Sequence, residues 1–258
     1  MHCRTLPAPP QQPTHPSADH DRERSSPQVF ATSFTIMEGV GVLSETTVVH
    51  LLRHGEVHNP TGVLYGRLPG YHLSELGLKM ADRIAEHLTG EDVTHLVSSP
   101  LEHAQQTAAP AATALDLPVH IDDRIIEAGN VFEGKTFGVG DGALHRPAHW
   151  VHLRNPLRPS WGEPYKEISR RMLTAMADAR DAARGHEALL VSHQLPIWTT
   201  RSFATGRRLW HDPRKRQCSL ASLTSFTYDG DELISVAYEE PAHDLLPVRA
   251  TKKFVAGA

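Results

Sequence analysis

The most constraining feature of the chain is a recurring junction. A short apolar run ends in a cluster of polar or reactive residues, and a helical pattern follows. Thr47-Val48-Val49-His50-Leu51-Leu52 is β-branched and apolar, and leads directly into Arg53-His54-Gly55-Glu56. Val93 to Val97 leads into Ser98-Ser99-Pro100, and Ala188 to Val191 leads into Ser192-His193-Gln194. Each of these short runs reads as a strand, the first of them buried. The intervening patterns agree. Ser74 is placed to cap a helix running to about Leu88, with Leu76, Met80, Ile84 and Leu88 at four-residue spacing. Pro100 suits the start of a second helix, which Pro110 should kink or shorten. A third helix is expected from Tyr165 to Arg184, with Ile168, Met172, Ala175, Met176 and Ala179 on one face, and a fourth near Pro196. Leu220 to Tyr228 and Glu232 to Tyr238 flank Asp229-Gly230-Asp231, a hairpin signal. Alternating strands and helices predict an α/β domain with a largely parallel sheet, whose ligands sit at the carboxyl ends of the strands.

Composition narrows the function classes. The net charge is −4, which gives no reason to expect nucleic-acid binding. The basic stretch Arg207 to Arg216 reads as a solvated loop, because no repeated aromatic platform accompanies it. No apolar run is long enough to span a membrane. The two cysteines, Cys3 and Cys218, cannot build a disulfide framework and suit a reducing cytoplasm. Residues 1–45 are read as a disordered tail: Met1 to Gln28 holds six prolines, balanced charges and no periodicity. No apolar secretory core follows the start. Residues 46–242 are the expected domain, and 243–258 a C-terminal tail. The 18 histidines are the one unusual count, in a residue whose role is often chemical. His50, His54 and His58 recur at four-residue spacing, but His50 to Leu52 reads as strand, which breaks the helical geometry that would bring three such residues onto one ion, so no metal site is expected from them.

The chemistry concentrates at the strand ends. An arginine fork grips a tetrahedral anion, a neutral imidazole beside it can attack phosphorus, and a second histidine at another strand end can stabilise the charge on the group in transit. Taken in order, Leu52-Arg53-His54-Gly55-Glu56, Ser98-Ser99-Pro100-Leu101 with Thr107-Ala108, Glu127 ahead of Phe132-Glu133-Gly134, and Val191-Ser192-His193 resemble the histidine phosphatase superfamily, which includes the cofactor-dependent phosphoglycerate mutases. Leu73-Ser74-Glu75-Leu76-Gly77 resembles a further stretch of that family. The resemblance implies a phosphoglycerate mutase-like three-layer α/β/α sandwich around a mainly parallel sheet. It implies hydrolysis of small phosphomonoesters through phosphohistidine, without metal or other cofactor.

Carried over by position, His54 is the nucleophile, Arg53 and His193 bind the phosphoryl oxygens, and Glu127 is the general acid. Glu133 is a second candidate for the acid, because the motif after Glu127 is one residue short. Asn59 lies near a phosphate-binding asparagine of the family, also one residue short. His103 stands where the family has its second phosphate-binding arginine. Imidazole offers one donor when neutral and cannot fork onto two oxygens. Three readings stay open: a slow enzyme favoured by low pH, replacement by Arg67 or Arg124, or a phosphate-binding protein with little turnover. Gln194, where the family commonly has glycine, either narrows the pocket or caps a helix. Tyr65, Arg67, Tyr71 and His72 are expected at the pocket rim, and Trp150, His152, Arg154 and Trp161 in an insert that sets substrate preference. Phosphoglycerate mutase chemistry, in which the phosphoryl group returns to a sugar acid, is the alternative. The motifs assign neither substrate nor oligomeric state.

Overall fold

The computed structural model describes residues 46–136 and 162–246. The expected N-terminal tail and the Trp150, His152, Arg154 and Trp161 cluster lie outside them. The first strand, β1 (Thr46–Arg53), is followed by α1 (Glu75–Leu88), β2 (Val93–Ser98), α2 (Glu102–Leu115) and a short β3 (Val119–Ile121). Then come α3 (Tyr165–Ala182), β4 (Glu187–Ser192), α4 (Gln194–Ala204), β5 (Leu223–Asp229) and β6 (Glu232–Glu239). The sheet order is β3-β2-β4-β1-β5-β6. The first four are parallel neighbours, and the hairpin β5–β6 adds antiparallel to β1. The hairpin turns at Gly230, whose φ of 57° is open to glycine without a Cβ penalty. The edge strand β3 is only three residues long and was not foreseen; Ile121 is exposed.

The strand side chains alternate between two cores. Val49 and Leu51 of β1 and Ala188 and Leu190 of β4 pack with Ile168, Met172 and Met176 of α3. Leu52, Leu189 and Val191 face Met80, Ile84, Ala104 and Ala108 of α1 and α2. One helix pair thus covers each face, giving the expected three layers. Pro110 neither ends nor shortens α2, which runs on to Leu115 around it. Ala104, Ala108 and Ala111 are buried on the side of the helix facing the second core, and that packing offsets one missing backbone donor. The folded body also passes residue 242. Leu245 and Leu246 pack on the second core, and Asp244 accepts from Arg83 at 2.7 Å.

This topology builds the site. β4 lies between β2 and β1, so three carboxyl ends far apart in sequence become neighbours. Arg53 is in register with Ser192, and Ser98 with Val191. The ladder extends past the strands: His54 N donates to the Ser192 carbonyl, and Ser99 N to that of Val191.

Candidate active site

His54, at the end of β1, is fully buried. Its Nδ1 lies 2.7 Å from the Gly55 carbonyl. A carbonyl only accepts, so Nδ1 carries the proton and Nε2 keeps its lone pair. Nε2 is buried and has no hydrogen-bond partner among the described residues. Burial holds this imidazole well below the ordinary histidine pKa, with His103 and Arg53 pushing the same way. The ring is therefore neutral at physiological pH, with a free nitrogen facing the pocket.

The loop carrying His54 is fixed to α1. The Glu56 carbonyl accepts from Ser74 N at 2.9 Å, and its carboxylate accepts from the Ser74 hydroxyl at 2.6 Å. Ser74 Oγ in turn caps the helix through Gly77 N. Glu56 thus clamps the loop to the helix. Gly55 N donates to Thr107 Oγ1, whose hydroxyl donates to the His103 carbonyl. This ties the first loop to α2.

Arg53 Nη1 donates to the Cys218 carbonyl at 2.7 Å, leaving a buried Nε–H without a partner. His193, the residue preceding α4, accepts or donates through Nε2 to Ser99 Oγ at 2.7 Å. Its Nδ1 approaches His103 Nε2 at 3.4 Å. His103, in the first turn of α2, is only 1% exposed. Its Nδ1 sits 3.1 Å from the Tyr71 carbonyl, so that nitrogen also carries the proton. Burial pushes its pKa down to about 4. In the ligand-free protein His103 is thus a neutral group, which sets aside a standing positive charge at this position in the neutral range. The three rings close on one another, with centroids 4.5 Å apart for His54 and His103 and 5.2 Å for each other pair. Two helix amino termini, those of α2 and α4, point their partial positive charge at the same region.

Glu127 is 3% exposed. Oε1 accepts from Ala128 N, and Oε2 is buried without a partner among the described residues. Burial raises its pKa, against smaller opposing effects from the Ala128 bond, Arg216, Arg53 and Arg171. A buried carboxyl whose pKa is raised holds its proton more firmly than a free one, which is the character of a general acid. Its backbone is fixed by cations: the carbonyl accepts from Arg67 Nε at 2.7 Å and Arg171 Nη2 at 3.4 Å, and Glu163 bridges both guanidiniums. Glu133 instead accepts from Asn130 N in a turn, which leaves Glu127 as the acid candidate.

Other expectations fall differently. Arg67 positions Glu127 through its carbonyl, and Arg124 is engaged by Asp122 and Asp178 beside α3; neither takes the place of a guanidinium at position 103. Asn59 spends both amide atoms on Val63, closing its own loop. His50 is held by Ser225 and Glu187. Tyr65 and Tyr71 stack at 5.0 Å, and Tyr65 lies edge-on to His103. Gln194 opens α4 and also reaches the Cys218 carbonyl and Arg216 Nη1.

Arg216 was missed. Its stretch reads as a solvated loop, yet its side chain turns inward. Nε donates to His211 Nε2 at 2.8 Å, and the charge bears on Glu127, Tyr165 and Arg53. The nearby Trp210 gave no signal, being itself exposed. A cavity of about 290 Å³ lies elsewhere, between the β2–β3 edge and α3, lined by His95, His120, Asp122 and Arg124 and touching none of these groups.

A sheet with three reactive strand ends, a neutral buried imidazole, a buried arginine and a buried carboxyl whose pKa is raised define an α/β phosphoryl-transfer fold. The chain belongs to the histidine phosphatase superfamily, branch 1, whose family model matches residues 49–241. An uncharacterized protein of Mycobacterium tuberculosis is 56% identical over 200 residues, covering 78% of this chain and 99% of that one. A probable phosphoglycerate mutase of Yersinia pestis is 31% identical over 185 residues, covering 67% and 82%. Among solved structures, a mycobacterial glucosyl-3-phosphoglycerate phosphatase superposes with a TM-score of 0.62 at 24% identity, covering 75% of this chain and 97% of that one. A phosphoserine phosphatase from Entamoeba histolytica, in complex with 3-phosphoglyceric acid, gives 0.64 at 22%, covering 78% and 100%. These confirm the fold. No described helix is long and apolar enough to cross a membrane.

Proposed function

We propose that this chain hydrolyses small phosphomonoesters through a phosphohistidine at His54. The observation that carries the reading is the unpartnered Nε2 of His54, whose other nitrogen is fixed as a donor to Gly55. Nε2 attacks phosphorus, the bond from phosphorus to the ester oxygen breaks, and Glu127 gives its proton to the departing oxygen. Arg53 Nε–H, His193 and the two helix amino termini hold the non-bridging oxygens, and neutral His103 contributes at most one donor. Water then attacks the phosphohistidine while Glu127 takes back a proton, and the electron pair returns to Nε2. No step of this scheme draws on a metal.

Arg216 supports a finer reading. It is a second cation beside Glu127, suited to a carboxylate carried near the phosphate. The ligands named for the two phosphatase neighbours are of that kind. We assign the substrate to phosphorylated small carboxylic acids. The near-complete burial of His54, His193 and Glu127 also favours a second reading, in which the phosphohistidine is shielded long enough to return its group to a sugar acid.

The deciding experiment is p-nitrophenyl phosphate hydrolysis with and without His54→Ala, together with trapping of an acid-labile phosphoenzyme. Turnover and label both lost in the variant support the scheme. Turnover that survives in His54→Ala defeats it. Labelling without hydrolysis, plus conversion of 3-phosphoglycerate, selects the transferase reading.

A further inference from the structure

We propose that His54, His103 and His193 form a three-histidine site for zinc(II), and that zinc bound there switches the phosphohistidine chemistry off. The inference rests on the proposed role of His54 for its regulatory half only; the metal site stands on geometry. One ring nitrogen from each histidine lies within 4.8 Å of the other two, and all three residues are buried. His103 Nε2 and His193 Nδ1 are 3.4 Å apart. Tetrahedral zinc with bonds of about 2.0–2.1 Å to nitrogen sets its ligand atoms about 3.4 Å from one another. The third nitrogen, within 4.8 Å of the other two, closes by up to about 1.4 Å to reach the same point.

The surroundings match what such a site requires. A metal-bound imidazole is oriented by a hydrogen bond from its other nitrogen. His54 donates to the Gly55 carbonyl, His103 to the Tyr71 carbonyl, and His193 Nε2 faces Ser99 Oγ. The first two already present Nε2 lone pairs inward. His193 needs one tautomeric change: its proton moves from Nδ1 to Nε2, where it is donated to Ser99 Oγ, and Nδ1 is freed. The net proton count does not change. Three protein ligands leave a fourth position for water or an anion. Arg53 opposes a dication here. Arg53 acts on both His54 and His193 and keeps an unpartnered Nε–H, so an anion in the fourth position offsets part of the repulsion.

The functional consequence follows from electron counting. Nδ1 of His54 is protonated, so Nε2 carries the ring's only available pair. A pair donated to zinc cannot attack phosphorus. An arginine at position 103 would carry a charge and no lone pair, so His103 is the residue on which the site depends.

The test uses the full chain, first stripped with a chelator. Cobalt(II) is titrated as a spectroscopic probe, zinc is then added in competition, and p-nitrophenyl phosphate turnover is measured with and without zinc. The expected result is one cobalt per chain with the visible bands of a tetrahedral nitrogen-rich site, lost on zinc addition. His54→Ala, His103→Arg and His103→Gln each weaken binding by at least about tenfold. His95→Gln, outside the site, leaves it intact. Circular dichroism shows which variants fold, and either substitution at 103 suffices. For turnover, the ratio of rates with and without zinc falls at least about tenfold in the wild type and stays near one in the folded 103 variant. Absent bands, or binding that persists in both 103 variants, overturns the site. Turnover that requires zinc overturns its role as an off-switch. A cobalt spectrum that depends on the three histidines in a chain with no turnover keeps the site and defeats the phosphatase reading instead.

Discussion

Gly77→Ala is the sharpest test of how the catalytic loop is held, because two principles predict opposite signs. Gly77 lies in the first turn of α1, and alanine is the better helix former there by about 0.5–1 kcal/mol. A Cβ at this position, however, would overlap the Glu56 carbonyl oxygen, and one at Gly55 would meet the Gly77 carbonyl oxygen at 2.7 Å. The two glycines pass back to back, and every atom at the contact is backbone. No flexible side chain can yield, so loop and helix must separate by roughly 1 Å to reach van der Waals distance. Overpacking of this kind costs about 1–3 kcal/mol. The clash exceeds the propensity gain, and we expect a net loss of about 1–2 kcal/mol. At about 2–4 °C per kcal/mol for a domain of this size, Tm should fall by roughly 2–8 °C. The same displacement reaches Gly55, whose carbonyl orients His54. A shift of about 1 Å in a reacting group costs on the order of 10²-fold in rate. Calorimetry and p-nitrophenyl phosphate kinetics measure the two effects, with Lys79→Ala, at an exposed position of the same helix, as the control. A Gly77→Ala protein with Tm at or above wild type and kcat/KM within about twofold would refute the argument, since propensity would then outweigh the contact.

Four further outcomes are expected. Glu127→Gln should lower kcat by about 10²–10⁴ on alkyl phosphates and less on p-nitrophenyl phosphate, whose leaving group needs little protonation, as steady-state kinetics would show. The same variant should melt higher at neutral pH. The native carboxyl holds its proton above the unfolded value, so stability falls as pH rises through that interval, and an amide removes the effect; a lower Tm at pH 7 would count against it. The pH profile of kcat/KM should keep its plateau below the ordinary histidine pKa of 6.5, since burial keeps His54 neutral there, and should decline on the alkaline side as Glu127 loses its proton; a profile already falling at pH 6.5 would contradict the burial argument. Arg216→Ala should raise KM for phosphorylated carboxylic acids by about tenfold or more while leaving p-nitrophenyl phosphate nearly unaffected, and equal effects on both would remove Arg216 from substrate recognition.

How much of this was legible in the sequence depends on where the information sits. Arg53, His54 and His193 could be placed because strands alternating with helical patterns leave little choice of fold, and an α/β fold leaves little choice of site. The helix beginning at Ser74 was visible for the same local reason, its cap and its four-residue spacing. Glu127 could be named as a candidate acid but not separated from Glu133, and the two differ in burial, which the string does not show. The residues that escaped are those whose meaning lies in the direction of a side chain. Arg216 sits among exposed charges and turns inward only because His211 and Gln194 receive it. Asn59 has the right residue type near the right place, yet Val63 occupies both its amide atoms. No pattern in a linear string reports such competition.

His103 shows the same limit from the other side. In the sequence it is the loss of an arginine, and the natural inference is a weakened anion site that recovers when the imidazole is protonated. The structure supplies the partner that decides its state: the Tyr71 carbonyl, contributed from a segment 32 residues earlier, fixes the proton on Nδ1 and turns Nε2 toward His193. With Nε2 aimed inward as an acceptor and the ring buried, the cation is disfavoured down to about pH 4. What replaces the guanidinium is therefore an electron-pair donor set against a second donor, His54 Nε2, and close to a third. A pocket that must grip a phosphate has exchanged one positive group for a Lewis base. The remaining positive character comes from Arg53, Arg216 and two helix amino termini, which is enough to attract an anion but leaves the centre of the pocket open to a cation that three nitrogens can share.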